Sequence, residues 1–134
     1  MAKLTQVEGI GQVYAQQLAD AGIATTDALL KLGATSKGRK EIVDKTGISA
    51  KLVLHWVNRV DLFRIKGVGE EFADLLEASG VDTVPELAQR NARNLYQKMV
   101  EVNQSKNLVR RMSAENQVAD WIEQAKALPR VITY

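Results

Sequence analysis

Apolar residues recur along this chain three and four positions apart, the spacing of helices, and no segment alternates with period two over a useful length. From Gln12 to Ala21, Tyr14, Leu18 and Ala21 share one face, and Gly22 stands where a left-handed residue ends a helix. Thr25 or Thr26 is expected to cap a short helix through Leu29 and Leu30, ending near Gly33. Ser36 is the expected cap of the next, which turns Ile42 and Val43 inward and Lys37, Arg39, Lys40 and Lys45 outward. After Thr46-Gly47-Ile48-Ser49, Ser49 caps a long helix to about Phe63, with Leu52, Trp56 and Val60 on one stripe. The second half follows the same plan. Gly69 to Ser79 is helical with Phe72, Leu76 and Ser79 inward, and Gly80 stops it. Thr83 caps a short helix whose first turn tolerates Pro85, and Asn91 caps one carrying Leu95, Met99 and Val102. Ser113 caps the last helix, which carries Val118, Trp121, Ile122 and Ala125 and ends at Pro129. The reading is all-α, roughly eight to ten short helices packed as one compact body.

The two halves match residue by residue. A shift of 58 positions aligns Gly9 with Gly67, Gly11 with Gly69, Tyr14 with Phe72, Leu18 with Leu76, Gly22 with Gly80, Thr25 with Thr83 and Leu29 with Leu87. Trp121 matches Trp56 once about seven residues are inserted near Asn103 to Met112. The chain therefore reads as a tandem duplication, with one copy over 1–62 and the other over 63–134. Each copy opens on apolar-x-Gly-apolar-Gly-x-x-aromatic-Ala, as Val7 to Ala15 and Ile65 to Ala73. Two glycines around one apolar residue, followed by a helix-forming run, describe a tight turn feeding a helix N-terminus. Such an end, with free N–H groups, is a ready anion site.

Composition narrows the chemistry. The 134 residues include no cysteine, so disulfides, thiolate metal sites and cysteine nucleophiles are excluded. His55 is the only histidine, and no metal cluster, phosphate loop or nucleophile elbow is present, so an enzyme is not expected. No cofactor, metal or small-molecule substrate is expected either. No apolar run approaches the roughly 18–20 residues of a membrane span, and Met1 to Gln6 lack a signal-peptide core, so a soluble cytoplasmic protein with no membrane partner is expected. Net charge is +2, and it is confined to the first copy, with eight Lys and Arg against six Asp and Glu; the second copy balances at ten each.

The pattern Gly-apolar-Gly-x-x-x-Ala followed by Leu18, Ala21-Gly22-Ile23 and Thr25 resembles the helix-hairpin-helix motif of DNA repair and recombination proteins. Thr46-Gly47-Ile48-Ser49 is similar to the degenerate second hairpin in the small N-terminal domains of archaeal and eukaryotic RecA-type recombinases, with Val53 where the motif's alanine lies. In the second copy Arg111-Met112-Ser113 aligns there, without the glycine. The chain as a whole resembles an uncharacterised bacterial domain-of-unknown-function family of tandem helix-hairpin-helix proteins. The resemblance implies two SAM-like units. It also implies non-catalytic, sequence-independent binding of a DNA backbone, in which turn N–H groups contact phosphate and nearby Lys or Arg add charge.

On that resemblance the candidate nucleic-acid contacts are Gly9 and Gly11, Gly67 and Gly69 with Lys66, Gly47 and Ser49 with Lys45 and Lys51, and the face bearing Lys37, Arg39 and Lys40. Each has a plainer reading: glycine turns as connectors, Ser49 as an N-cap, a basic face as solvated surface. Glu8 lies inside the first turn, and Glu70 and Glu71 follow the second, where carboxylates repel phosphate. The turn at Gly47 is therefore the better candidate grip, and Lys106, Arg110 and Arg111 form a second small basic cluster. The alternative is a protein-interaction or scaffold module that keeps the fold without DNA, with a protein as partner.

Overall fold

Where the sequence spaces its apolar residues by three and four, the backbone is helical. The computed structural model describes residues 3–134; Met1 and Ala2, the start of the N-terminal stretch read above, lie outside the described residues. Two units divide the chain: Met1–Asp61 with Arg130–Tyr134, and Leu62–Pro129. The first holds a single 3-10 turn, Leu4–Gln6, and helices α1 (Gln12–Asp20), α2 (Thr26–Gly33), α3 (Ser36–Thr46) and α4 (Ala50–Leu62), the last running to the start of the second unit. The second holds α5 (Glu70–Ala78), α6 (Val84–Ala88), α7 (Ala92–Lys106) and α8 (Glu115–Ala127). The fold is all-α: no strand forms among the described residues, and β-pairing is limited to one isolated bridge between Lys3 and Thr25.

Helix ends reproduce the duplication hydrogen bond by hydrogen bond. After α1, Ile23 N–H donates to Leu18 O at 2.8 Å and Gly22 N–H to Ala19 O at 3.0 Å. After α5, Val81 N–H donates to Leu76 O at 2.8 Å and Gly80 N–H to Glu77 O at 3.0 Å. Both are Schellman closures, which satisfy the last carbonyls of a helix and return an apolar residue to the core. Thr25 and Thr83 cap α2 and α6 through Ala28 N–H and Glu86 N–H. Two caps differ from expectation. Thr35, not Ser36, accepts the Gly38 N–H at 3.0 Å, because the cap must itself stay extended and Ser36 is already helical. Ala114, not Ser113, is the N-cap of α8; Ser113 is drawn inside and only 8% exposed.

Each unit has its own core. In the first, Leu18, Ile23, Leu29, Val53, Trp56 and Val57 are sealed from solvent. In the second, Leu75, Leu76, Val81, Leu87, Leu95, Met99, Val118 and Trp121 form one buried cluster. Each such side chain contributes roughly 1.5–3 kcal/mol by leaving water. The tryptophans are the largest of them, and both are 0% exposed. Tyr14 meets Trp56 edge-on at 5.1 Å and 61°, and Phe72 meets Trp121 at 5.1 Å and 61°. The C-terminal residues pack back onto the first unit: Thr133 N–H donates to Ala34 O at 2.7 Å, and Ile132 is buried.

Candidate functional site

The glycine turns are built from a fixed set of parts. Ile10 N–H donates to Val7 O at 3.0 Å and Gly9 takes φ +91°, a type II turn whose third residue must be left-handed. Val68 N–H donates to Ile65 O at 3.1 Å and Gly67 takes φ +96°. Beneath each turn lies the indole of its unit. A Cβ at Gly9 would stand 3.1 Å from Trp56 Nε1, and one at Gly67 only 2.8 Å from Trp121 Nε1. The first glycine of each pair is thus required twice, by backbone angle and by the ring pressed against it.

The residue three positions after each tryptophan grips the same point of its turn. Arg59 is 2% exposed and pairs with Glu8 at 3.6 Å. In the second unit Gln124 accepts from Lys66 N–H at 2.8 Å and donates to Lys66 O at 3.1 Å. The negative charge that the sequence places in the first turn therefore has a cation buried beside it. Sequence reasoning missed both Arg59 and Gln124. The signal was there: Arg59 and Gln124 align once the tryptophans are aligned, just as Glu8 aligns with Lys66.

The second glycine of each pair behaves differently. Gly11 and Gly69 take φ −85° and −101°, ordinary for any residue, and a Cβ on either would meet nothing within 4 Å. Both are exposed N-caps with no side-chain hydrogen bond, so the first N–H groups of α1 and α5 face solvent bare. Packing within the fold leaves room for a side chain at both, and glycine there serves as an N-cap. The two ends differ in charge. α1 has no acid in its first turn, whereas α5 opens with Glu70 and Glu71.

The third turn is braced from below. Gly47 closes α3 in the left-handed conformation, with its N–H on Val43 O at 2.8 Å. Thr46 donates to Ile42 O at 2.7 Å and accepts from Ile48 N–H at 3.1 Å, and Ile48 is buried. Ser49 Oγ accepts from Leu52 N–H at 3.2 Å, which still leaves its hydroxyl proton for a ligand. Lys45 and Lys51 flank the turn, exposed, and Lys37 and Lys40 are exposed on α3. Glu41 and Asp44 lie four residues from Lys37 and Lys40, which dilutes the basic face. Arg39 leaves that face altogether. Its guanidinium is buried and donates to Gly33 O at 2.8 Å, Ala34 O at 3.2 Å and Thr133 O at 2.7 Å. It is a tail clamp, out of reach of a phosphate.

In the second unit charge is segregated along the chain. Residues 70–89 hold six carboxylates and no Lys or Arg; residues 90–114 hold six Lys and Arg and one carboxylate. Within the acidic stretch a hydrogen bond with Asp82 holds Glu86 above the usual carboxylate range, burial adds to the rise, and the Thr83 hydroxyl opposes it. A raised carboxyl contributes stability below its unfolded pKa and loses it as pH rises through the folded one. Asp82→Ala is therefore expected to return Glu86 to the ordinary range, read from its side-chain carboxyl carbon in an NMR pH titration. An unchanged midpoint would assign the rise to burial alone.

Among the described residues no group of three or more His, Asp or Glu could hold a metal ion, and no helix is long and apolar enough to cross a membrane. Comparison with known families matches residues 8–128, from the first glycine turn to the end of α8. The chain belongs to the family described as a domain of unknown function (DUF4332). The DUF4332 match takes in both glycine turns, both tryptophans and their grips Arg59 and Gln124. No curated protein and no solved structure matches the chain.

Proposed function

We propose that this protein is a non-catalytic, sequence-independent binder of a DNA backbone, built from helix-hairpin-helix units, with its grip in the first unit. The observation that carries this reading is the start of α1: a glycine that packing does not require, bare N–H groups, no acid in the first turn, and Glu8 paired with a buried arginine. Backbone N–H groups at a helix start hold phosphate without reading bases. Lys45, Ser49 and Lys51 around Gly47 supply a second contact of the same kind, and Lys37 and Lys40 add exposed positive charge, diluted by Glu41 and Asp44. The start of α5 is left out, because Glu70 and Glu71 oppose an anion there.

The test is a titration of labelled duplex at several salt concentrations with Gly11→Ser alongside. Wild type is expected to bind at low salt, with log affinity falling linearly with log salt. A serine at Gly11 would cap the α1 N–H groups itself. It should leave stability equal or higher by a few tenths of a kcal/mol, yet weaken duplex binding, whereas Gly69→Ser leaves binding unchanged. No binding by wild type at low salt, where electrostatic contacts are strongest, would sink the reading. One observation favours the scaffold alternative: the cation-free acidic stretch 70–89 suits a basic protein surface better than a nucleic acid. Pull-down of a partner that Glu70→Lys with Glu71→Lys abolishes is the result expected of it.

A further inference from the structure

The insertion that breaks the repeat is an ordered part of the second unit. In the first unit α3 passes to α4 through three residues, Gly47 to Ser49. In the second, α7 passes to α8 through Asn107 to Ala114. Asn107 takes over from Gly47: it is left-handed at φ 51°, and its N–H donates to Asn103 O at 2.8 Å, as Gly47 N–H does to Val43 O. The side chain of Asn103 then clamps the loop at two points, accepting from Val109 N–H at 2.9 Å and donating to Val109 O at 3.2 Å. Val109 is 5% exposed, so the middle of the loop is anchored in the core. Directly after this anchor come Arg110 and Arg111, both exposed, with Lys106 exposed at the end of α7. None of the three side chains has a hydrogen bond or ion pair among the described residues.

We infer that the α7–α8 loop is the nucleic-acid contact of the second unit, with Lys106, Arg110 and Arg111 taking phosphodiester groups of a duplex. This inference rests on the DNA-backbone reading above and adds a site to it. The second unit's own glycine turn is closed to phosphate by Glu70 and Glu71, while the loop standing where the first unit has Gly47 to Ser49 has gained two arginines. Arginine presents a planar fork that fits two phosphate oxygens at once. The loop's anchors fix where both side chains leave the backbone, and the forks, bound to nothing else among the described residues, are left to meet a phosphate. Ala114 adds the uncapped start of α8 beside them, and Glu115 is the one carboxylate from Lys106 to Glu115.

The experiment is the same duplex titration, on the full chain, with Arg110→Ala and Arg111→Ala combined and circular dichroism as the control for folding. Each phosphate contact contributes about 0.9 to the slope of log affinity against log salt, so the slope should fall by about 1.8. The same relation makes the loss about 60-fold at 0.1 M salt. Lysine at both positions should keep most of the slope and lose part of the affinity. Duplex binding by wild type that the double variant leaves unchanged overturns this site and leaves the DNA reading standing. Absence of binding by wild type overturns both. If the double variant instead dissolves a concentration-dependent dimer seen by light scattering and leaves the duplex slope alone, the loop contacts the acidic stretch of a second copy and the assignment is wrong.

Discussion

Trp121→Ala is expected to cost about 3–5 kcal/mol, the range for emptying a fully buried aromatic site. That is a large part of the roughly 5–15 kcal/mol that holds a domain together. The ring is 0% exposed, meets Phe72 edge-on and supports the Gly67 turn, so its loss removes packing on several sides at once. Trp56→Ala should behave alike in the first unit, where the same contacts run to Tyr14 and Gly9. The measurement is guanidinium denaturation, with hydrogen exchange to show which unit opens. Trp121→Phe is the informative comparison. Indole Nε1 of Trp121 is buried and has no hydrogen-bond partner, so phenylalanine removes volume together with an unsatisfied donor and should cost less than half as much. A coupling follows. Gly67→Ala drives a Cβ to 2.8 Å from that nitrogen, so it should be milder in the Trp121→Phe background, with only the left-handed strain of φ +96° remaining. Equal costs in both backgrounds would show that the ring edge does not set the turn.

The framework was legible because it is local and occurs twice. Gly22 and Gly80 announced the helix stops, Thr25 and Thr83 the caps, and the alignment of Trp56 with Trp121 the matching cores. Errors arose where neighbouring residues compete for one local role, as Thr35 with Ser36 and Ala114 with Ser113. Thr35 and Ser36 both carry a hydroxyl, and at Ala114 the residue without one takes the cap; the backbone angle at the junction decides both. The candidate site was legible only in part, for a different reason. The sequence exposes glycine turns and charges but not their partners across the fold. Glu8 looked like a defect because Arg59 is 51 positions away and nothing near it in sequence hints at the pairing. Gly9 is fixed by a buried ring, whereas a Cβ at Gly11 would meet nothing within 4 Å. That asymmetry separates a structural glycine from a candidate for function, and it needs coordinates.

Arg39 gives the second large effect, and it tests a residue that helical periodicity placed with the surface cations. Arg39→Ala removes three donated hydrogen bonds, to Gly33 O, Ala34 O and Thr133 O, together with the guanidinium stacked 5.7 Å over the Tyr134 ring. Bonds from a charged donor contribute about 1.5–3 kcal/mol each but do not sum, so a loss of about 2–4 kcal/mol is expected. Arg39→Lys should recover little of it, since one ammonium cannot span carbonyls that the planar fork reaches on separate nitrogens. The tail reports the loss directly. Thr133 N–H, bonded to Ala34 O at 2.7 Å, should exchange its hydrogen much faster in the variant. Protection that survives would show that Ile132 in the core and Tyr134 OH on Asn58 hold the tail without the arginine. The same variant separates structure from binding on one helix. Lys37→Ala and Lys40→Ala, both at exposed positions, should change stability by no more than about 0.5 kcal/mol and each lower the duplex salt slope by about 1. Arg39→Ala should do the opposite, lowering stability while the slope stays put, because a buried guanidinium held by three carbonyls cannot reach a phosphate.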